Sequence, residues 1–169
     1  MKNMKEALEC FRKHIKNGDD ILVRVDCDVD GVSSATEIMQ FIRILNPEIK
    51  IKPVQNYEKS HGLTIEDMEK YTKNQFGLII IPDASMTCKD ARQISKNFSA
   101  DIIVLDHHQI DNEFLNKKIG NWVTREEAIK LWKADKNSIE SDCYTNYCIA
   151  VNCTDGEYPN PNLCGVGVV

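Results

Sequence analysis

The stretch ILVRVDCDVDG, residues 21–31, joins a β-branched apolar run to three aspartates set two apart, Asp26, Asp28 and Asp30, and closes on Gly31. Its first five residues read as a short buried strand that stops where the acids begin. The same design recurs twice. GLIII at 77–81 runs through Pro82 into Asp83, and DIIVL at 101–105 runs into Asp106, His107 and His108. Strands that are apolar throughout, rather than alternating, are covered on both faces.

Working outward, helical patterns separate these runs. Residues 2–17 place Leu8, Phe11 and Ile15 on one face, and Asn17-Gly18 supplies a stop. Residues 33–45 repeat Ile38, Phe41, Ile42 and Leu45, with Ser33 as the expected cap and Pro47 beyond the end. Residues 49–54 read as a strand. Thr64 with Asp67 three positions on is an N-cap signature, and 87–97 is helical. CIAVN at 148–152 is a further strand, 124–134 a helix within a polar stretch, and GVGVV at 165–169 the start of a helix or strand. Apolar strands alternating with helices imply an α/β fold: an open, mainly parallel, doubly wound sheet with helices on both faces.

The 169 residues suit one domain. A hydrophobic fraction of 42% and a charged fraction of 28% are those of a globular chain with a sizeable core. The net charge of −5 gives no basic face of the kind nucleic-acid binders usually carry, although a groove holding divalent metal can be locally positive. The apolar runs are too short to cross a bilayer. Seven cysteines, an odd number, with no secretory signal at the start, fit a reduced cytoplasmic protein with free thiols. Cys143, Cys148, Cys153 and Cys164 lack the tight pairs of structural zinc sites and read as buried thiols.

In open α/β sheets ligands sit at the carboxyl ends of the strands. Three strands ending in acids would bring carboxylates and imidazoles together there. Carboxylates so close raise one another's pKa unless a cation neutralises them, and oxygen with imidazole nitrogen donors lean towards Mn²⁺ among the divalent ions. Each piece alone has a plainer explanation: an aspartate after a strand usually caps a helix or makes a turn, and a His-His pair is usually surface or core. The first motif has a sharper rival. Asp26 through Gly31 with Glu37 fits the calcium-loop pattern D-x-[DN]-x-[DN]-G-x5-E. An EF-hand loop follows a helix, however, and Asp26 follows a strand.

Taken together and in order, the motifs resemble those of the DHH phosphoesterases, and within them the RecJ-like branch. VRVDCDVDGVSSA resembles the first motif, LIIIPDAS the second, VLDHHQ the name-giving third, and VNCTDGEYPNPNLCGVGVV the fourth; SHGLT is similar to a glycine-rich segment between the first two. The resemblance covers residues 21–169. It implies a DHH-type catalytic domain over 1–169, C-terminally incomplete and without the DHH-associated second domain. It implies metal-dependent hydrolysis of phosphodiesters by two Mn²⁺ (or Mg²⁺) ions, with a bridging hydroxide attacking in line, and 5′-3′ exonuclease action on single-stranded DNA in repair and recombination. Asp28, Asp30, Asp83 and His107 carry over as metal ligands and catalytic residues. His108 is catalytic and faces the substrate phosphate; Asp26 and Asp106 support. Two other expectations stand beside this one: a phosphodiesterase acting on short oligonucleotides or cyclic dinucleotides, and a non-catalytic DHH domain that binds a replication or repair protein.

Overall fold

The computed structural model describes residues 1, 3–55, 62–84, 86, 88–108, 146, 148–154 and 158–169. Its elements follow the order α1 (Met4–Asn17), β1 (Ile21–Val25), α2 (Val29–Leu45), β2 (Ile51–Gln55), α3 (Ile65–Met68), β3 (Leu78–Pro82), α4 (Cys88–Phe98), β4 (Asp101–Asp106), β5 (Cys148–Asn152) and α5 (Gly165–Val168). The expected helix over 124–134 lies outside the described residues.

All four strand pairings are parallel, in the order β2-β1-β3-β4-β5. Burial explains the order. Every residue of β1 and β3 is buried, as their unbroken apolar runs require of central strands. β2 sits at an edge with a single buried residue, and Pro53, which lacks an amide donor, is tolerated there. Alternate residues feed two cores. Ile21, Val23, Ile80, Ile103 and Val151 face α1, α2 and α5. Leu22, Ile79, Ile81, Ile102 and Val104 face α3 and α4. Helices therefore cover both faces, as expected for this class.

Two local readings are sharpened. Gly18 adopts φ 72° at the end of α1, and its amide donates to the carbonyls of His14 and Ile15. Thr64 and Asp67 form a reciprocal capping box. One reading is corrected. α2 begins at Val29, not at residue 33, because Asp28 rather than Ser33 is the cap: its carboxylate accepts from the Gly31 amide at 2.9 Å. This also removes the calcium-loop alternative, since Asp30 through Glu37 are wound into α2 directly after β1. Of the four late cysteines, Cys143 lies outside the described residues; Cys153 is buried as expected, Cys148 is half-buried, and Cys164 is exposed, which corrects its reading as a buried thiol. Among the described residues no helix is long and apolar enough to cross a membrane.

Candidate metal centre

Strands β1, β3 and β4 are adjacent and parallel, so their carboxyl ends open on one edge of the sheet. The three acidic motifs meet there. Ligand atoms of Asp26, Asp28 and Asp83 lie within 4.8 Å of one another, and so do those of Asp83, His107 and His108. Asp83 belongs to both groups and stands at the centre. Its side chain is 2% exposed, and its amide donates to the Leu105 carbonyl at 2.7 Å. Its φ of 53° lies in the left-handed region, which aspartate tolerates better than most residues. That twist turns the chain sharply off β3 and points the carboxylate into the crevice.

The electrostatics at Asp83 are unbalanced. Its Oδ1 is buried without a hydrogen-bond partner. The His107 Nε2 lies 3.0 Å away, at ion-pair distance but not in hydrogen-bonding alignment. Burial first, and then the charge of Asp30, push the Asp83 carboxyl up to about 6. An orphaned buried oxygen amid several carboxylates and an imidazole is the donor set a divalent cation satisfies. The residues present therefore fit such an ion.

The remaining expected residues fall around this centre. Asp30 lies 3.6 Å from His107 Nε2 through its Oδ2, and both of its oxygens accept backbone amides, from Gly165 at 2.6 Å and Val166 at 2.9 Å. Asp26 is close to Asp28 and Asp83, and 3.9 Å from the Arg24 guanidinium. Asp106 is buried beneath the histidines. One of its oxygens accepts the His107 amide at 2.8 Å, the His108 amide at 3.2 Å and the His108 ring Nδ1 at 2.6 Å. Burial alone would lower the His108 imidazole; the hydrogen bond and charge of Asp106 outweigh it, and Asp83 and Asp26 add to them, so the ring is held above its ordinary value.

Several supporting residues could not be assigned from the sequence. Arg24 is fully buried on β1, donating to the carbonyls of Gly62, Val25 and Val54. It ties the loop after β2 under the first motif. Asn152 and Thr154 donate side-chain hydrogen bonds to the His108 carbonyl at 3.1 and 3.2 Å. Gly31 and Gly165 permit close approach: a Cβ on Gly31 would lie 2.4 Å from the Asp26 Cβ, and one on Gly165 2.5 Å from the Asp83 Oδ1. The glycines of the first and fourth motifs were the visible signal for these two.

The sequence matches the model of the DHH family, N-terminal domain, over residues 20–159. It is 30% identical over 111 residues to a putative SPbeta prophage-derived single-strand DNA-specific exonuclease, YorK, of Bacillus subtilis, covering 66% of this chain and 19% of that protein. It is 25% identical over 109 residues to the single-stranded-DNA-specific exonuclease RecJ of the same organism, covering 64% of this chain and 14% of that protein. The chain thus spans under a fifth of the length of these relatives. A crystal structure of exonuclease RecJ bound to manganese superposes with a TM-score of 0.68 at 18% identity, over 99% of this chain and 35% of that one, which extends the likeness to the fold. With the family match spanning all three strand-end motifs, the chain belongs to the DHH family, as its N-terminal domain.

Proposed function

We propose that this domain supplies the metal-binding part of a hydrolase that cleaves phosphodiesters of single-stranded DNA from the 5′ end, with Mn²⁺ as its ion. The observation that carries the reading is the buried Asp83 carboxylate, shared by two donor groups and left with one oxygen without a hydrogen bond. The single-strand DNA exonucleases it resembles, and the manganese in the solved RecJ, support the choice of substrate and ion.

Asp28, Asp30, Asp83 and His107 would hold the metal, and Asp26 fits the same group as Asp28 and Asp83. Bound divalent ions would supply positive charge at the attacking and leaving oxygens of the phosphodiester. The chain's own residues do the rest. Asp106 fixes the His107–His108 turn through both amides and orients the His108 ring. His108, held towards its cationic form and half-exposed at the mouth, would donate to a substrate phosphate oxygen. Asp30 anchors α5 against the site through the Gly165 and Val166 amides.

The test is Mn²⁺ binding followed by spin resonance, paired with release of nucleotides from 5′-labelled single-stranded DNA and from a dinucleotide. Asp83→Asn and His107→Ala should each weaken Mn²⁺ binding by more than the roughly 10–100-fold typical of outer-shell partners. Mn²⁺ binding unaffected by either substitution would overturn the site. Bound Mn²⁺ with cleavage of the dinucleotide alone would move the substrate to short oligonucleotides, and bound Mn²⁺ with no cleavage at all would leave a binding domain.

A further inference from the structure

A second cluster of ligand-type side chains lies at the opposite edge of the sheet, where β4 begins. Cys10 and His14 stand one helical turn apart on the buried face of α1, and Asp101 opens β4; all three are buried. The Cys10 Sγ is 3.6 Å and the His14 Nε2 2.8 Å from the same oxygen, Asp101 Oδ2. None of these residues takes part in the centre described above.

An independent feature points to a ligand. The other ring nitrogen of His14, Nδ1, is 2.7 Å from the Asp19 Oδ2. A carboxylate on one imidazole nitrogen is how metal-binding histidines are usually oriented: it fixes the proton on that nitrogen and leaves the other with its lone pair free for the metal. Each ring nitrogen faces a carboxylate oxygen, so with a single proton on the ring one of the two contacts has no hydrogen in it and is repulsive unless a second proton or a cation lies between. The arrangement is held by packing as well. A Cβ on Gly77 would lie 2.7 Å from the Asp19 Cβ and 3.0 Å from the His14 Nδ1, so only glycine lets Asp19 close on the ring.

We propose that Cys10, His14 and Asp101 form a zinc-type site, with Asp19 orienting His14 from behind. A thiolate, an imidazole and a carboxylate together suit Zn²⁺ rather than a hard oxygen-seeking ion. Edges of a tetrahedral zinc shell are about 3.3–3.7 Å for these donors. The sulfur–oxygen edge is already there at 3.6 Å; the nitrogen–oxygen edge of 2.8 Å opens by about half an ångström around the ion. The Lys13 ammonium now lies 2.9 Å from Asp101 Oδ2, on a side chain 49% exposed. It swings into solvent as the ion enters, and water takes the fourth position. The Cys10 proton is released to solvent, so thiolate and carboxylate neutralise the dication. Burial and Asp101 raise the thiol in the metal-free protein, so affinity falls as pH is lowered.

Cobalt(II) titration of the reduced, metal-stripped chain reads this site directly, because a thiolate ligand gives a near-ultraviolet charge-transfer band that oxygen and imidazole donors lack. Saturating Co²⁺ should produce the band, and an excess of Zn²⁺ should remove it. Cys10→Ser should abolish it, whereas Cys27→Ser, beside the acidic centre, should leave it intact. Asp19→Ala should weaken Zn²⁺ binding by about 10–100-fold, and Lys13→Ala should tighten it. Cobalt bound without a thiolate band, or a band that survives Cys10→Ser, overturns the proposal. Such a result would identify the cluster as an imidazolium held between two carboxylates.

Discussion

Strand β4 begins and ends on a buried aspartate, and its two ends treat the charge differently. At the start, Asp101 is met by Lys13, His14 and Cys10, all within 3.6 Å of one oxygen. At the end, Asp106 accepts the His107 and His108 amides and a ring nitrogen. Yet its neighbour Asp83, equally buried, keeps an oxygen with no hydrogen bond. The lower edge meets its carboxylate with the Lys13 ammonium, the His14 ring and the Cys10 thiol, and so holds α1 to the sheet. The upper edge leaves a buried oxygen without a hydrogen bond, a cost to folding that the proposed cation would offset. A metal at the lower edge must instead displace Lys13 and a proton. Unmet charge at a strand end thus marks a binding site more clearly than the mere presence of acids and histidines.

The sharpest way to break this contrast is Asp101→Ala. It would remove the acceptor that the buried His14 Nε2 and Cys10 Sγ share with Lys13, at about 1–3 kcal/mol for each buried donor left unmet. Urea unfolding measures it, and a loss below about 1 kcal/mol would mean that the lower edge is not a structural anchor. Next is Gly31→Ala. The added methyl would lie 2.4 Å from the Asp26 Cβ and 3.0 Å from its Cα, so backbone must move. We expect a loss of about 1–3 kcal/mol, together with weaker Mn²⁺ binding.

Asp83→Asn should act in the opposite sense. The Asp83 carboxyl is raised from 3.8 to about 6, so the folded state holds this proton more tightly than the unfolded chain does. Its contribution to stability is therefore present below pH 3.8 and lost as pH rises to about 6. Neutral asparagine has no such loss. The metal-free variant should match the parent near pH 3.8 and be more stable at pH 7, by on the order of 1 kcal/mol, while losing metal binding. Thermal melts of both proteins across this range check it; equal pH profiles would show that Asp83 is not strained by its neighbours. The smallest effect separates two roles of Asp28. Asp28→Ala removes a proposed metal ligand and the α2 cap; Asp28→Asn keeps the cap. Both should lose Mn²⁺ affinity, but Ala alone should cost about 1 kcal/mol of stability.

Much of this edge was legible in the residues. A continuous apolar run buried on both faces has few alternatives to a central strand, so β1, β3 and β4 and the acids that end them could be placed from residues 21–31, 77–83 and 101–108. The start of α2 was misplaced because Val29, Asp30 and Gly31 are weak helix formers in isolation. Their helix depends on the Asp28 side chain reaching the Gly31 amide. The Cys10, His14 and Asp101 cluster was not legible, since its members are separated by 87 positions between His14 and Asp101 and carry no motif.

What the sequence determined by itself was local: which segments are strands, where each stops, and which side chains able to bind metal wait at the stops. These follow from periodicity and the chemistry of neighbouring residues. Only the tertiary structure decided that β2 goes to an edge while β1, β3 and β4 lie side by side, making Asp83 the shared centre. It also decided which charges are met and which are not: Asp30 by the Gly165 and Val166 amides, Asp101 by α1, and Asp83 by the His107 ring at ion-pair distance but by no hydrogen bond at its Oδ1. Desolvation and pairing depend on distances between residues far apart in the chain, and those distances come into being only when the sheet is assembled.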